Sequence, residues 1–292
     1  MDGHQVQLLL NRSRRALRFP GFVGGRILGG YGSSLLQAGV GDCALFDFSS
    51  GLFAVADGSD RNPSASRHFM ATFSKTLKQL LYYPAGTILS AREVSKIKEA
   101  LSAESERLLC SMPFGTGCTF TGVLLLRTPE GINAILMHTG DSLLITCDLQ
   151  ASHACQITID NFWLVGRSQR FFQIEIIPVS DSTRLLLATD GLNGIPLPAG
   201  TTREGFILSL FETCSPDELP DRILGDAGPP SAGRDDASVI AVNPSALVYL
   251  PRHLILGGTG IYEERLFQEE RARGMLADQY APVQTSDEAL TI

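Results

Sequence analysis

Short apolar runs bounded by glycine, serine and aspartate recur along the chain and predict strands, and in two places the spacing changes to that of a helix. Residues 43–48 and 52–56 read as two strands joined through Ser49-Ser50-Gly51 in a tight hairpin. Over 64–81, Phe69, Phe73, Leu77 and Leu80 recur every three or four residues, and Pro84 and Gly86 stop the pattern. A second helix opens at Ser90-Ala91-Arg92-Glu93, where serine and glutamate can satisfy each other's orphan amides. Val94, Ile97, Leu101 and Leu108 then form one apolar stripe to Cys110.

Beyond Pro113 the spacing predicts strands at 119–126, 132–138, 143–147, 155–159, 171–177 and 185–188, and a last one at 239–242. Val123 to Leu126 and Leu185 to Leu187 are continuous rather than alternating, as in strands covered on both faces, by another sheet and by helices. Runs of strands and helices without strict alternation favour an α+β fold. Two short helices are expected after Thr201-Thr202-Arg203-Glu204 and Ser215-Pro216-Asp217-Glu218, each opened by a capping box. Glu263 to Arg271 predicts a terminal helix, followed by a polar tail.

The chain has 292 residues, 44% of them hydrophobic, enough for one large domain or two. No apolar stretch approaches a membrane span, and Leu8-Leu9-Leu10 before Asn11 and Arg12 is too short for a signal peptide, so a cytoplasmic protein is expected. A net charge of −7 gives no footprint for nucleic acid. The six cysteines lack metal-site spacing and read as buried thiols. Arg12, Arg14, Arg15, Arg18 and Arg26 could touch an acidic surface, but a solvated N-terminal arm is the first reading.

Three acidic signatures carry the chemistry. Apolar runs end in Asp57-Gly58 and again in Asp190-Gly191, whereas Asp235-Asp236 leads into a strand. Each places a carboxylate where a buried strand meets solvent, and glycine lets a ligand approach the backbone. Converging carboxylates repel by roughly 4 kcal/mol per pair at 4 Å in an effective dielectric of 20, so hard divalent ions are their natural counterweight. Oxygen-only ligands favour magnesium or manganese over zinc.

The order Asp42, Asp57-Gly58, Gly117-Cys118-Thr119, Gly140-Asp141-Ser142, Asp160, 185–192 and 235–242 resembles the metal-dependent protein phosphatase family, the protein phosphatase 2C or PPM class, over about residues 30 to 243. The resemblance implies two antiparallel sheets forming a central sandwich flanked by helices, with two Mn2+ or Mg2+ ions at one end. It implies serine/threonine phosphoprotein phosphatase activity on phosphomonoesters, with a water activated by the two ions. Asp57 then resembles the bridging ligand and Gly58 a carbonyl ligand. Asp190 and Asp235 resemble ligands of the second ion, and Asp141 the ligand of a third, weaker ion found in part of the family. Asp42 matches the acidic residue that holds bound waters and orients the nucleophile. Thr119 is read as structural, and Asp236, where asparagine is usual, as a turn or supporting group.

Several positions depart from the family. Gln37 stands where an arginine usually clamps phosphate, Gly41 where an acidic or amide residue is usual, and Ser59-Asp60-Arg61 where glycines are usual. Arg61 either supplies the missing phosphate-binding charge or is a surface arginine before the helix. The short stretch between Asp160 and Leu185 leaves little room for a flap and is similar to compact bacterial serine phosphatases. His68, His138 and His153 read as packing or surface groups. The rival class is a catalytically impaired, phosphatase-like module that binds a regulatory protein. The expected organisation is a basic extension at 1–27, a phosphatase domain at 28–245, and an appendage at 246–292 that could dock a protein partner.

Overall fold

The computed structural model describes residues 16–30, 32, 38–59, 63–81, 83–110, 117–162, 165, 170–225, 233–272 and 280–282. One sheet contains β1 (Ala16–Phe19), β2 (Val23–Leu28), β7 (Leu143–Asp148), β8 (His153–Gln156), β10 (Thr183–Ala188), β11 (Ala237–Val242) and β13 (Tyr280–Pro282). Its seven strands run in the order β13-β1-β2-β11-β10-β7-β8. The other contains β3 (Val40–Asp47), β4 (Leu52–Ala56), β5 (Phe120–Thr128), β6 (Gly131–Thr139), β9 (Gln173–Pro178) and β12 (His253–Thr259), in the order β12-β3-β4-β5-β6-β9. Every described pairing is antiparallel except that of β1 with β13.

Strand periodicity explains why the apolar runs are continuous. In β3 and β4, Ala44, Phe46, Phe53 and Val55 point between the sheets, where Leu185, Leu187, Ile240 and Val242 meet them. The alternate residues Cys43, Leu45, Leu52 and Ala54 point outward beneath α1 (Pro63–Leu80) and α2 (Ala91–Cys110). Leu186 and Ala188 likewise turn outward from β10, toward α3 (Arg203–Thr213) and α4 (Leu219–Gly225). These three strands therefore bury both faces, and the layers stack helix, sheet, sheet, helix. Close packing between the sheets is strict at Gly25, where an added Cβ would lie 2.1 Å from the Phe46 ring.

The expected strands and helices form, with shifted ends in places: the fourth strand of the later run lies at His153–Gln156 rather than 155–159. The capping box at Ser90 forms, since Glu93 Oε2 accepts the Ser90 amide at 2.7 Å and Ser90 Oγ accepts the Glu93 amide at 3.4 Å. The next one is out of frame: Thr202, not Thr201, caps α3 by accepting the Gly205 amide at 3.1 Å. Ser215 opens no helix directly, because a turn intervenes and α4 begins at Leu219.

Strand pairing carries the fold beyond both expected domain boundaries. β1 and β2, assigned by sequence to a basic extension, are strands of the seven-stranded sheet, with β2 paired along its whole length to β11. Arg18 and Arg26 there are not a solvated arm: both contact the Asp221 carboxylate on α4, Arg18 Nη2 at 2.8 Å. β12, assigned to the appendage, is the edge strand beside β3. It leads into α5 (Ile261–Ala272), held to α1 by Arg67, which donates to Gly258 O at 3.2 Å and pairs with Glu263. Cys43, Cys118, Cys147, Cys155 and Cys214 are free thiols. No described helix is long and apolar enough to cross a membrane.

Candidate metal centre

The registers bring the acidic signatures to one end of the sandwich. Cys43 pairs with Ala56, so Asp42 in β3 and Asp57 just beyond β4 are neighbours. Ala188 pairs with both Val239 and Leu143, which gathers Asp190 beyond β10, Asp235 before β11 and Asp141 before β7 at one sheet end. An isolated bridge joins Gly58 to Cys118, and the Thr119 amide donates to Asp57 O at 2.8 Å.

A layer of hydrogen bonds beneath these residues sets their backbones. Thr119 Oγ1 accepts the Asp57 amide at 3.0 Å and contacts Ser142 Oγ at 2.5 Å, which ties Asp57 to the Asp141 turn. Thr189 Oγ1 donates to Asp42 Oδ2 at 2.6 Å and accepts the Ser238 amide at 2.8 Å, linking Asp42 to β10 and β11. Asp236 is 2% exposed, and its two oxygens accept the Gly30 amide at 2.6 Å and the Gly41 amide at 2.9 Å. Only glycine fits at 191: an added Cβ would lie 1.7 Å from Asp236 O.

The electrostatics show that the carboxylates share one environment. Burial, then the charges of Asp190, Asp235 and Asp141, push the Asp57 pKa up to about 7, opposed by a contact with Asp42. Burial, with Asp141 and Asp235, raises Asp190 to about 6. Asp42 is held well above the usual carboxylate range by burial and by Asp57 and Asp236. Asp141 is raised by burial and by Asp160. Asp42, Asp57, Asp141, Asp190 and Asp235 thus lie near one another at one end of the sandwich.

This donor set fits hard divalent cations. All the groups are oxygens, and their mutual repulsion is the cost a cation would remove. Among the described residues no three acidic, histidine or cysteine side chains close into a ready ligand cage.

Arg61 and Gln37 lie outside the described residues. His138 is structural: Thr121 Oγ1 sits 2.8 Å from Nδ1, Ile159 O lies 3.1 Å from Nε2, and burial lowers its pKa. His68 and His153 are exposed. Thr189 and Ser142 fall within quoted motifs but were given no role by sequence. Their only signal is position, directly before Asp190 and directly after Asp141, since a hydroxyl there reveals a partner only once the strands are paired.

No protein-family model and no curated protein matches the sequence. Solved structures do match. The photosystem II phosphatase PBCP superposes with a TM-score of 0.55 at 14% identity, covering 76% of this chain and 97% of its own. PppA, a regulatory component of the T6SS in Pseudomonas aeruginosa, gives 0.51 at 18%, covering 77% and 98%. The serine/threonine phosphatase PstP/Ppp of Mycobacterium tuberculosis gives 0.50 at 18%, covering 76% and 97%. The fold of this chain is that of the PPM-type serine/threonine phosphatases.

Proposed function

We propose that this protein is a metal-dependent serine/threonine phosphoprotein phosphatase that hydrolyses phosphomonoesters and uses Mn2+ or Mg2+. The observation that carries this reading is the mutual perturbation of Asp57, Asp190, Asp42 and Asp141, held on separate strand ends in a fold shared with phosphatases. A scaffold has no physical need for clustered, partly buried charge, which destabilises the fold unless a cation compensates it.

In this reading Asp57, the Gly58 carbonyl, Asp190 and Asp235 hold two ions, and Asp141 serves a third. The ions would supply a more acidic water and electrophilic contact to phosphoryl oxygens. Asp42, fixed by Thr189 and buried beside Asp57, orients the attacking water and receives its proton. Thr119 and Asp236 keep the carboxylates in register through backbone amides. Arg61 is assigned to the substrate phosphate.

The test is hydrolysis of a phosphoserine peptide by metal-stripped protein, with and without Mn2+, beside Asp190→Asn. Mn2+-dependent turnover lost in the variant supports the assignment. Mn2+ binding without turnover would replace it with a phosphatase-like binding module.

A further inference from the structure

Exposed hydrophobic residues occur singly on any protein and need no explanation. Phe162 differs by where it is held. Its relative exposure is 102%, and Ile159, three positions earlier, is 58% exposed. The chain on either side is tied to the candidate metal centre. Before it, the Asn161 amide donates to Gly140 O at 2.9 Å and Asn161 Oδ1 accepts the Gly140 amide at 3.0 Å, one residue from Asp141. After it, Val165 and Cys118 exchange both amide bonds, at 2.8 and 3.3 Å, and Cys118 in turn bridges Gly58. Phe162 therefore belongs to a segment anchored at Asp141 on one side and at Gly58 on the other.

Several polar groups before Phe162 bond within the fold. Asn161 Nδ2 donates to Ile159 O at 2.9 Å, Gln156 Nε2 donates to Asp160 Oδ1 at 3.0 Å, and Gln173 Oε1 accepts the Ile159 amide at 2.8 Å. Presented outward next to the candidate metal centre are the apolar side chains of Phe162 and Ile159 and, between them in the chain, the carboxylate of Asp160. The backbone at Asn161 is already held, so covering the next residue, Phe162, orders little more of the chain.

We propose that Phe162 is a specificity contact that receives an apolar side chain flanking the phosphorylated residue of a protein substrate. The proposal rests on the phosphatase reading for its substrate class. The preferred substrate is thus a phosphoserine or phosphothreonine segment with a leucine-like neighbour, rather than a free phosphate ester or a uniformly charged phosphopeptide.

The experiment measures binding by fluorescence anisotropy to the full chain with Mn2+, using two phosphoserine peptides identical except for leucine or serine on both sides of the phosphoserine. Wild type is expected to favour the leucine peptide by on the order of tenfold, the gain from covering one aliphatic side chain. Phe162→Ala should cut that preference below about threefold, and Phe162→Leu should keep most of it. Ile88→Ala, which removes another exposed apolar residue before α2, should leave the preference intact. Because Phe162 is fully exposed, neither change at 162 removes packing. Equal affinity of wild type for both peptides, loss of the preference in Ile88→Ala, or a preference that survives Phe162→Ala overturns the proposal. Hydrolysis is followed in the same samples. A Phe162-dependent preference without turnover keeps the contact and removes the phosphatase reading, whereas turnover without the preference does the reverse.

Discussion

The carboxylate of Asp236 accepts the backbone amide of Gly41 at 2.9 Å, one residue before Asp42 in the chain. Its other oxygen holds Gly30 at 2.6 Å, so one buried side chain sets β3, the end of β2 and the start of β11 relative to each other. An asparagine has only one acceptor oxygen, and its amide group would oppose an N–H donor. Asp236→Asn should therefore cost about 1–3 kcal/mol, from a buried donor left unmade. Urea unfolding checks the stability, and a Mn2+ titration of activity should show a shifted midpoint because Asp235 is adjacent.

Asp57 lies at the centre of the carboxylate group, facing the charges of Asp190, Asp235 and Asp141. Asp57→Asn should abolish phosphopeptide hydrolysis and remove the rise in Tm that Mn2+ gives the wild type. Calorimetry with and without Mn2+ tests this; an unchanged metal response would remove Asp57 from the ligand set.

Arg61 follows Asp57 closely in sequence and is the cation assigned to phosphate in place of Gln37. Arg61→Ala should raise KM for a phosphopeptide by about tenfold or more, the scale of one lost charge-assisted contact, with the Mn2+ midpoint unchanged. Steady-state kinetics at saturating Mn2+ decides between this role and a surface arginine.

Asp47 stands at the opposite end of β3 from the candidate metal centre and makes a separate, structural prediction. Burial pushes its pKa up, but His253, Lys78 and the hydroxyls of Ser49 and Ser74 outweigh that and hold it below the ordinary value of 3.8. Ser74 Oγ gives its proton to Asp47 at 2.6 Å, so His253 Nδ1, 2.8 Å from that oxygen, carries a proton and donates to it. A depressed carboxylate stabilises the fold at pH values above its unfolded pKa, and that stability is lost as pH falls toward the folded one. Asp47→Ala should cost about 3–5 kcal/mol near neutral pH. The gap to wild type should narrow as the pH drops below 3.8. Urea unfolding at several pH values measures it.

The elements legible in the sequence were those whose side chains repeat with a clear period. The helix at Pro63–Leu80 and the strands from β3 to β7 each place apolar residues at the spacing of their own backbone, whatever they pack against. β1, β2 and β12 were not legible because their pattern is broken. β2 carries Gly24 and Gly25, which approach Asp217 and Phe46 too closely for any side chain. β12 turns through Gly257 and Gly258 at positive φ where its register with β3 shifts. Arg18 and Arg26 looked like a solvated arm because Asp221, which they contact, lies about two hundred residues away in the chain.

By itself the sequence named the candidate residues: Asp57, Asp190 and Asp235 from strand ends that their apolar neighbours predict, and Asp42 and Asp141 from the family resemblance. Only the tertiary structure decided that these strand ends coincide, that Thr189 holds Asp42, that Asp236 grips two backbone amides, and that Asn161, next to Phe162, is tied to Gly140. The physical reason is range. Periodicity and capping act over a few neighbouring residues and can be read along the chain, whereas hydrogen bonds and charge coupling between distant segments exist only once strand pairing has set their separation.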